Sequence, residues 1–120
     1  MKSAESYKNL IETARSKAEQ FHKDGLKTNQ IRNFYSEIDK LRALYRKSED
    51  NAEEIVGRLI LLKPKLAYAA GRQRAVRKNF YPFMEKRIDE VVDANDKKEA
   101  IETFFTWIES IVGYHKFYGD

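Results

Sequence analysis

The chain has 120 residues, a length that suits one domain burying roughly two-thirds of its unfolded surface. It has no cysteine, which excludes disulfides and thiolate metal sites, and no apolar run nears the ~20 residues of a membrane span. Charged residues make up 35% of the chain, with a net charge of +4; an ordinary soluble domain carries about 25%, so long solvated helix faces are expected.

The N-terminus, Met1-Lys2-Ser3-Ala4-Glu5, has no apolar stretch behind its lysine and is not expected to be a signal peptide. Tyr7, Leu10, Ile11, Ala14, Ala18 and Phe21 then follow the i, i+3, i+4 spacing of an amphipathic helix over residues 5–23. Gly25 is placed to end it. Thr28 or Asn29 is expected to cap a second helix, whose inward stripe is Ile31, Phe34, Ile38, Leu41 and Tyr45. Ser48-Glu49-Asp50-Asn51 reads as a polar turn, with Asn51 capping a third helix that buries Ile55, Val56, Leu59 and Leu62.

Pro64 falls inside the helical pattern, where it either kinks the third helix or starts a fresh one. Leu66, Ala69, Ala70, Val76 and Phe80 continue the inward face. Pro82 opens another helix carrying Phe83, Ile88, Val91 and Val92. Asp96, with Glu99 three residues on, resembles a capping box for a last helix of Ile101, Phe104, Phe105, Ile108, Ile111, Val112 and His115. No β-alternation of useful length appears. The expected fold is all-α, a compact bundle of five to six helices, with residues 1–120 as a single domain.

Charge is distributed unevenly. Between Arg58 and Arg87 stand nine basic residues and one acid, Glu85, a local charge of +8 that leaves −4 for the rest. Two accounts compete: a solvated face whose acid partners sit on neighbouring helices, or a surface for a polyanion. Within this segment Lys65, Tyr68 and Arg72 share one side of a helix. Gly71 costs about 1 kcal/mol relative to alanine in a helix interior. Close helix packing is one explanation for small residues here, particularly Ala69 and Ala70; close approach of a nucleic-acid backbone to Gly71 is the other.

Nothing in the sequence points to catalysis. There is no glycine-rich phosphate loop and no nucleophile elbow. His22 and His115 are far apart in sequence, have no partner at metal spacing, and are expected to be packing or surface residues. The neighbouring acids Glu53 and Glu54, or Glu85 and Asp89, read as helix-surface charges. No catalytic residue, metal ligand or cofactor is therefore expected.

Two segments are more specific. Lys63-Pro64-Lys65-Leu66-Ala67-Tyr68-Ala69-Ala70-Gly71-Arg72 and the C-terminal Gly113-Tyr114-His115-Lys116-Phe117-Tyr118-Gly119 resemble motifs of the small subunit of the type III-A CRISPR effector, the Csm complex. Thr28-Asn29-Gln30-Ile31-Arg32 resembles a third family segment, with Asn29 where serine is usual. Asp120 departs from the family, which commonly has a second glycine there. The resemblance implies a cytoplasmic, non-catalytic helical protein present in several copies, stacked along a ribonucleoprotein filament. It implies contact with the repeating backbone subunit, the large subunit, neighbouring copies of itself, and the target RNA paired to the guide. A homodimer is possible for the free chain.

On that basis Lys63, Lys65, Arg72, Arg77 and Lys78 are expected to contact phosphates, with Arg74 adding to the field. Arg32, Arg42, Arg46 and Lys47 form a secondary basic surface. Gln30, Tyr68, Tyr114 and Tyr118 are expected to be structural. Backbone contacts position a strand without reading it, so sequence would be read by guide pairing. The competing classes are a generic helical nucleic-acid-binding domain and a protein scaffold. The first needs a recognition helix bearing base-reading side chains, whereas the outer residues here are mostly Lys and Arg around small residues.

Overall fold

The computed structural model describes residues 3–47 and 49–119; Met1, Lys2, Ser48 and Asp120, named in the expectations above, lie outside them. The described chain forms five α-helices: α1 (Ala4–Lys23), α2 (Thr28–Lys47), α3 (Ala52–Arg72), α4 (Tyr81–Asp93) and α5 (Lys97–Tyr118). A 3₁₀ turn (Glu49–Asn51) precedes α3, and a π-turn (Val76–Phe80) leads directly into α4. No strand occurs among the described residues. The all-α bundle expected from the sequence is what forms.

Local chemistry sets the helix ends. Ser3 caps α1 by accepting from the Ser6 amide at 3.1 Å. Gly25, at φ +89°, turns the chain out of α1. Its N–H bonds the His22 carbonyl and that of Leu26 bonds Phe21, the paired bonds of a Schellman motif, with Leu26 buried beneath. The capping expectation for α2 is corrected: the helix begins at Thr28 itself, and the Lys27 carbonyl accepts the first helical bond. Gln30 Oε1 reaches back to accept from the Lys27 amide at 2.8 Å. Asn51 is likewise no side-chain cap, because its amide nitrogen donates instead to the Leu44 carbonyl and ties the α2–α3 turn together. Asp96 does cap α5, accepting from the Glu99 amide at 3.1 Å.

The middle of the chain departs most from expectation. Of the two alternatives for Pro64, the fresh helix does not form; the proline sits inside one continuous element. Its missing N–H leaves the Ile60 carbonyl without a helical partner, but Ile60 and Pro64 both face solvent, where that loss is least costly. The break falls instead at Gln73, whose backbone is extended (φ −127°, ψ 113°). Helix resumes at once and widens into the π-turn, where the Tyr81 amide bonds the Val76 carbonyl five residues back. Pro82 therefore follows the π-turn directly, at the start of α4 but within continuous helical backbone, and it is exposed, where a missing donor costs least.

One buried cluster draws on every helix, including Phe21, Ile38, Leu59, Phe80, Met84 and Phe104. Fully burying each such side chain contributes about 1.5–3 kcal/mol relative to exposure. Helices α1 and α5 lie parallel: Tyr7 is beside Glu99 and Thr106, Arg15 beside Tyr114, and His22 beside Tyr118. Helices α2 and α3 run antiparallel, so Glu37 meets Lys65 while Leu44 lies at the turn. The start of α2 and the end of α3 consequently share one end of the bundle.

Candidate nucleic-acid interface

That shared end carries most of the basic residues singled out in the sequence. Their environments differ, and the acids around them account for the difference. Lys63 donates to Asp89 of α4 at 2.5 Å and is only 29% exposed; the hydrogen bond to this carboxylate holds its ammonium above the ordinary lysine value. Lys65 stands 4.0 Å from Glu37 of α2, and Lys78 stands 3.6 Å from the well-covered Asp24 at the end of α1. Arg58 pairs with Glu54 one turn earlier. Arg87 bonds Glu90 and lies over the Phe83 and Trp107 rings at 5.0 and 5.3 Å. Lys63, Lys65 and Lys78 are therefore paired by acids of neighbouring helices or their ends, one of the two accounts the charge allowed, while Arg58 and Arg87 pair within their own helices.

The rest is not neutralised. Arg72, Arg74, Arg77 and Lys86 are exposed and have no acid within 4.0 Å among the described residues. Arg72 donates to the Tyr68 hydroxyl at 3.1 Å and holds its guanidinium 5.6 Å from that ring's centre. Tyr68 itself is 67% exposed and, unlike Gln30, Tyr114 and Tyr118, contributes little to the fold. Tyr118 accepts from Arg15 at 3.2 Å and stacks on His22; Tyr114 lies under the same guanidinium. Arg72, Arg74 and Arg77 thus bracket the break at Gln73 as a rim of guanidinium groups without acid partners, beside an open aromatic ring. Planar guanidinium forks suit phosphate oxygens.

The secondary basic surface does not form one patch. Arg32 is exposed near the same end as the arginine rim. Arg42 is held by Glu109 of α5 at 2.5 Å and lies over Phe105, with 18% of its side chain exposed. Arg46 and Lys47 are exposed but sit fourteen residues or more beyond Arg32, about 21 Å along the helix axis. At that end they complement the C-terminal dipole of α2.

Gly71 lies on the exposed side of α3, and a Cβ built there would meet nothing within 4 Å. Close packing within the chain therefore does not account for this glycine, although it does account for Ala70, which is buried, and for Ala69, which packs against the core. The two histidines, distant in sequence, are brought to 6.2 Å between ring centres. Both remain packing residues: His115 is fully buried against Leu26, and His22 stacks on Tyr118. No group of three or more potential metal ligands occurs among the described residues, and none of their helices is long and apolar enough to cross a membrane.

Sequence comparison places this small helical chain among the components of CRISPR systems. The model of the family described as Csm2 Type III-A matches residues 4–120. The chain is 33% identical over 98 residues to the CRISPR system Cms protein Csm2 of Enterococcus italicus, covering 79% of this chain and 69% of that protein. It is 31% identical over 118 residues to the protein of the same name from Streptococcus thermophilus, covering 96% and 93%. No solved structure matches it. The chain belongs to the Csm2 family of type III-A CRISPR systems, in agreement with the resemblance carried by its central and C-terminal motifs.

Proposed function

We propose that this Csm2-family chain is a non-catalytic RNA-binding small subunit whose arginine rim holds the backbone of target RNA paired to the guide. The observation that carries the proposal is the set Arg72, Arg74 and Arg77: exposed, without acid partners, and gathered around one helix break. A protein spends arginines on its own carboxylates where the fold needs them, as with Arg42 and Arg87. Arginines left unspent at one end create a positive field for an external anion. Lys65, loosely paired and more than half exposed, extends that field and exchanges its carboxylate partner for phosphate at little cost; Lys78 adds to the field while staying beside the covered Asp24. Lys63, bound more closely, contributes charge but little contact.

Such contacts are blind to sequence, which suits a subunit of an assembly whose guide does the reading. The chain would supply no chemistry of its own, and the strand would be positioned for other subunits. The exposed Phe117, 70% open on α5, supports protein contact away from the rim, and Leu61, 69% open, offers an apolar contact on the same side of α3 as Lys65, with neighbouring subunits of the complex or further copies of this chain.

The direct test uses the assembled complex. With Arg72, Arg74 and Arg77 replaced together by alanine, the chain should still enter the complex, which should then hold target RNA less tightly. Undiminished retention of target RNA would remove the rim from the interface. Incubation of the free chain with labelled RNA and Mg²⁺ should give no cleavage; cleavage abolished by a point substitution in the chain would establish a catalytic role instead.

A further inference from the structure

A cleft of 260 Å³ opens between the start of α2 and the α3–α4 junction, directly beside the arginine rim. Its lower walls are apolar and include the rings of Phe34 and Phe80, set edge to face at 5.6 Å. Its upper lining is different in kind. Gln30 and Asn33 stand on the α2 side and Gln73 on the other, three carboxamides facing one small space. The Asn33 and Gln73 side chains make no hydrogen bond to any described residue, and Gln30 commits only its oxygen, to Lys27. The fold therefore leaves donors and acceptors unused around an apolar floor.

We infer that this cleft receives one unpaired nucleobase of the strand whose phosphates lie on the arginine rim. The inference rests on the RNA-binding reading above and adds to it a place for a base. A carboxamide offers a donor and an acceptor side by side, which is the pattern a base edge presents. Unstacked bases are held by such edges together with apolar or aromatic surface. Gln73 lies between Arg72 and Arg74 in the chain, so a base in the cleft has its own phosphates at the rim. Glu37 and Lys65 also line the space and stand 4.0 Å apart, so the cleft itself offers no net positive charge to a free phosphate. An apolar side chain from a protein partner would fill the floor but bury Asn33 and Gln73 without partners, a cost of about 1–3 kcal/mol for each unsatisfied group.

The experiment compares a short single-stranded RNA with an oligonucleotide of equal length built from abasic ribose units, so that phosphates match and bases do not. The full chain should bind the RNA about tenfold more tightly at the same salt, within the usual range for one held base. Asn33→Ala with Gln73→Ala should reduce RNA affinity to the abasic level, leave abasic binding unchanged, and preserve the helical circular dichroism. If the double variant unfolds, Asn33→Ala alone serves, and the wild-type comparison needs no variant. Equal binding of the two oligonucleotides overturns the inference. So does a preference that survives the double substitution but disappears in Tyr68→Ala, which would seat the base on the open tyrosine. Loss of partner-subunit binding with RNA affinity intact would make the cleft a protein-docking site. If neither oligonucleotide binds, the failure lies with the RNA-binding reading itself.

Discussion

His115 Nε2 lies 2.8 Å from the carbonyl oxygen of Leu26, so a fully buried imidazole near the end of α5 secures the turn between α1 and α2, 89 residues earlier. A carbonyl only accepts, so Nε2 carries the proton. His115→Leu keeps much of the bulk and removes the donor. Unfolding in urea should then show a loss of about 1–3 kcal/mol, the cost of a buried acceptor left unpaired. The midpoint should fall with little change in slope. An unchanged midpoint would show that the bond contributes nothing.

Gly57 and Gly71 make a matched pair within α3, since a Cβ at either would meet nothing within 4 Å. Alanine at each should stabilise the free chain, by up to about 1 kcal/mol at Gly57 and less at Gly71 near the helix end. Only Gly71→Ala should also weaken RNA binding, because Gly57 lies fourteen residues away, about 21 Å along the axis. Equal RNA affinity in both variants would leave Gly71 without a role at the interface.

Lys63 and Arg77 were equal candidates in the sequence, and the structure separates them. Lys63→Ala should change RNA affinity little, because its ammonium is held by Asp89. Arg77→Ala should weaken binding measurably at low salt. Filter-binding of both single variants distinguishes them, and a larger loss for Lys63→Ala would reverse the order.

These contrasts mark what the sequence made legible. Apolar spacing identified the helices and most of the core, because burial at i, i+3 and i+4 leaves a direct trace. It missed Met84 and Leu26, both buried: one lies beside the more conspicuous Phe83, the other in a turn where no period applies. It assigned Tyr7 to the core, although it is 45% exposed. The two prolines drew attention away from the true break at Gln73, whose extended backbone has no marker stronger than the glycine two residues earlier. The basic segment was visible as charge. Its division into paired and free cations was not, because Asp24, Glu37 and Asp89 come from three other helical elements or their ends. The cleft was invisible for the same reason: Gln30 and Asn33 meet Gln73 only in the folded chain.

The free chain should self-associate reversibly. The rim arginines, exposed and without acid partners, can face exposed acids of another copy, and Leu61 and Phe117 offer apolar contact. Sedimentation should show mass rising with concentration at low salt and falling as salt is added. A strict monomer up to about millimolar at low salt, where attraction is least screened, would count against it.

The central claim is that free arginines, rather than the basic segment as a whole, hold the RNA backbone. A salt titration of single-stranded RNA binding tests it most directly. If each copy neutralises about three to four phosphates, the log–log slope should be about −2 to −3. Replacing Arg72, Arg74 and Arg77 by alanine should flatten the slope by about 2, leaving about −1 or shallower for the lysines, without loss of helical content, since all three side chains are exposed. Replacing Glu12 and Glu53, exposed on α1 and α3, should leave binding intact or slightly stronger. A triple variant that keeps the wild-type slope would contradict the claim.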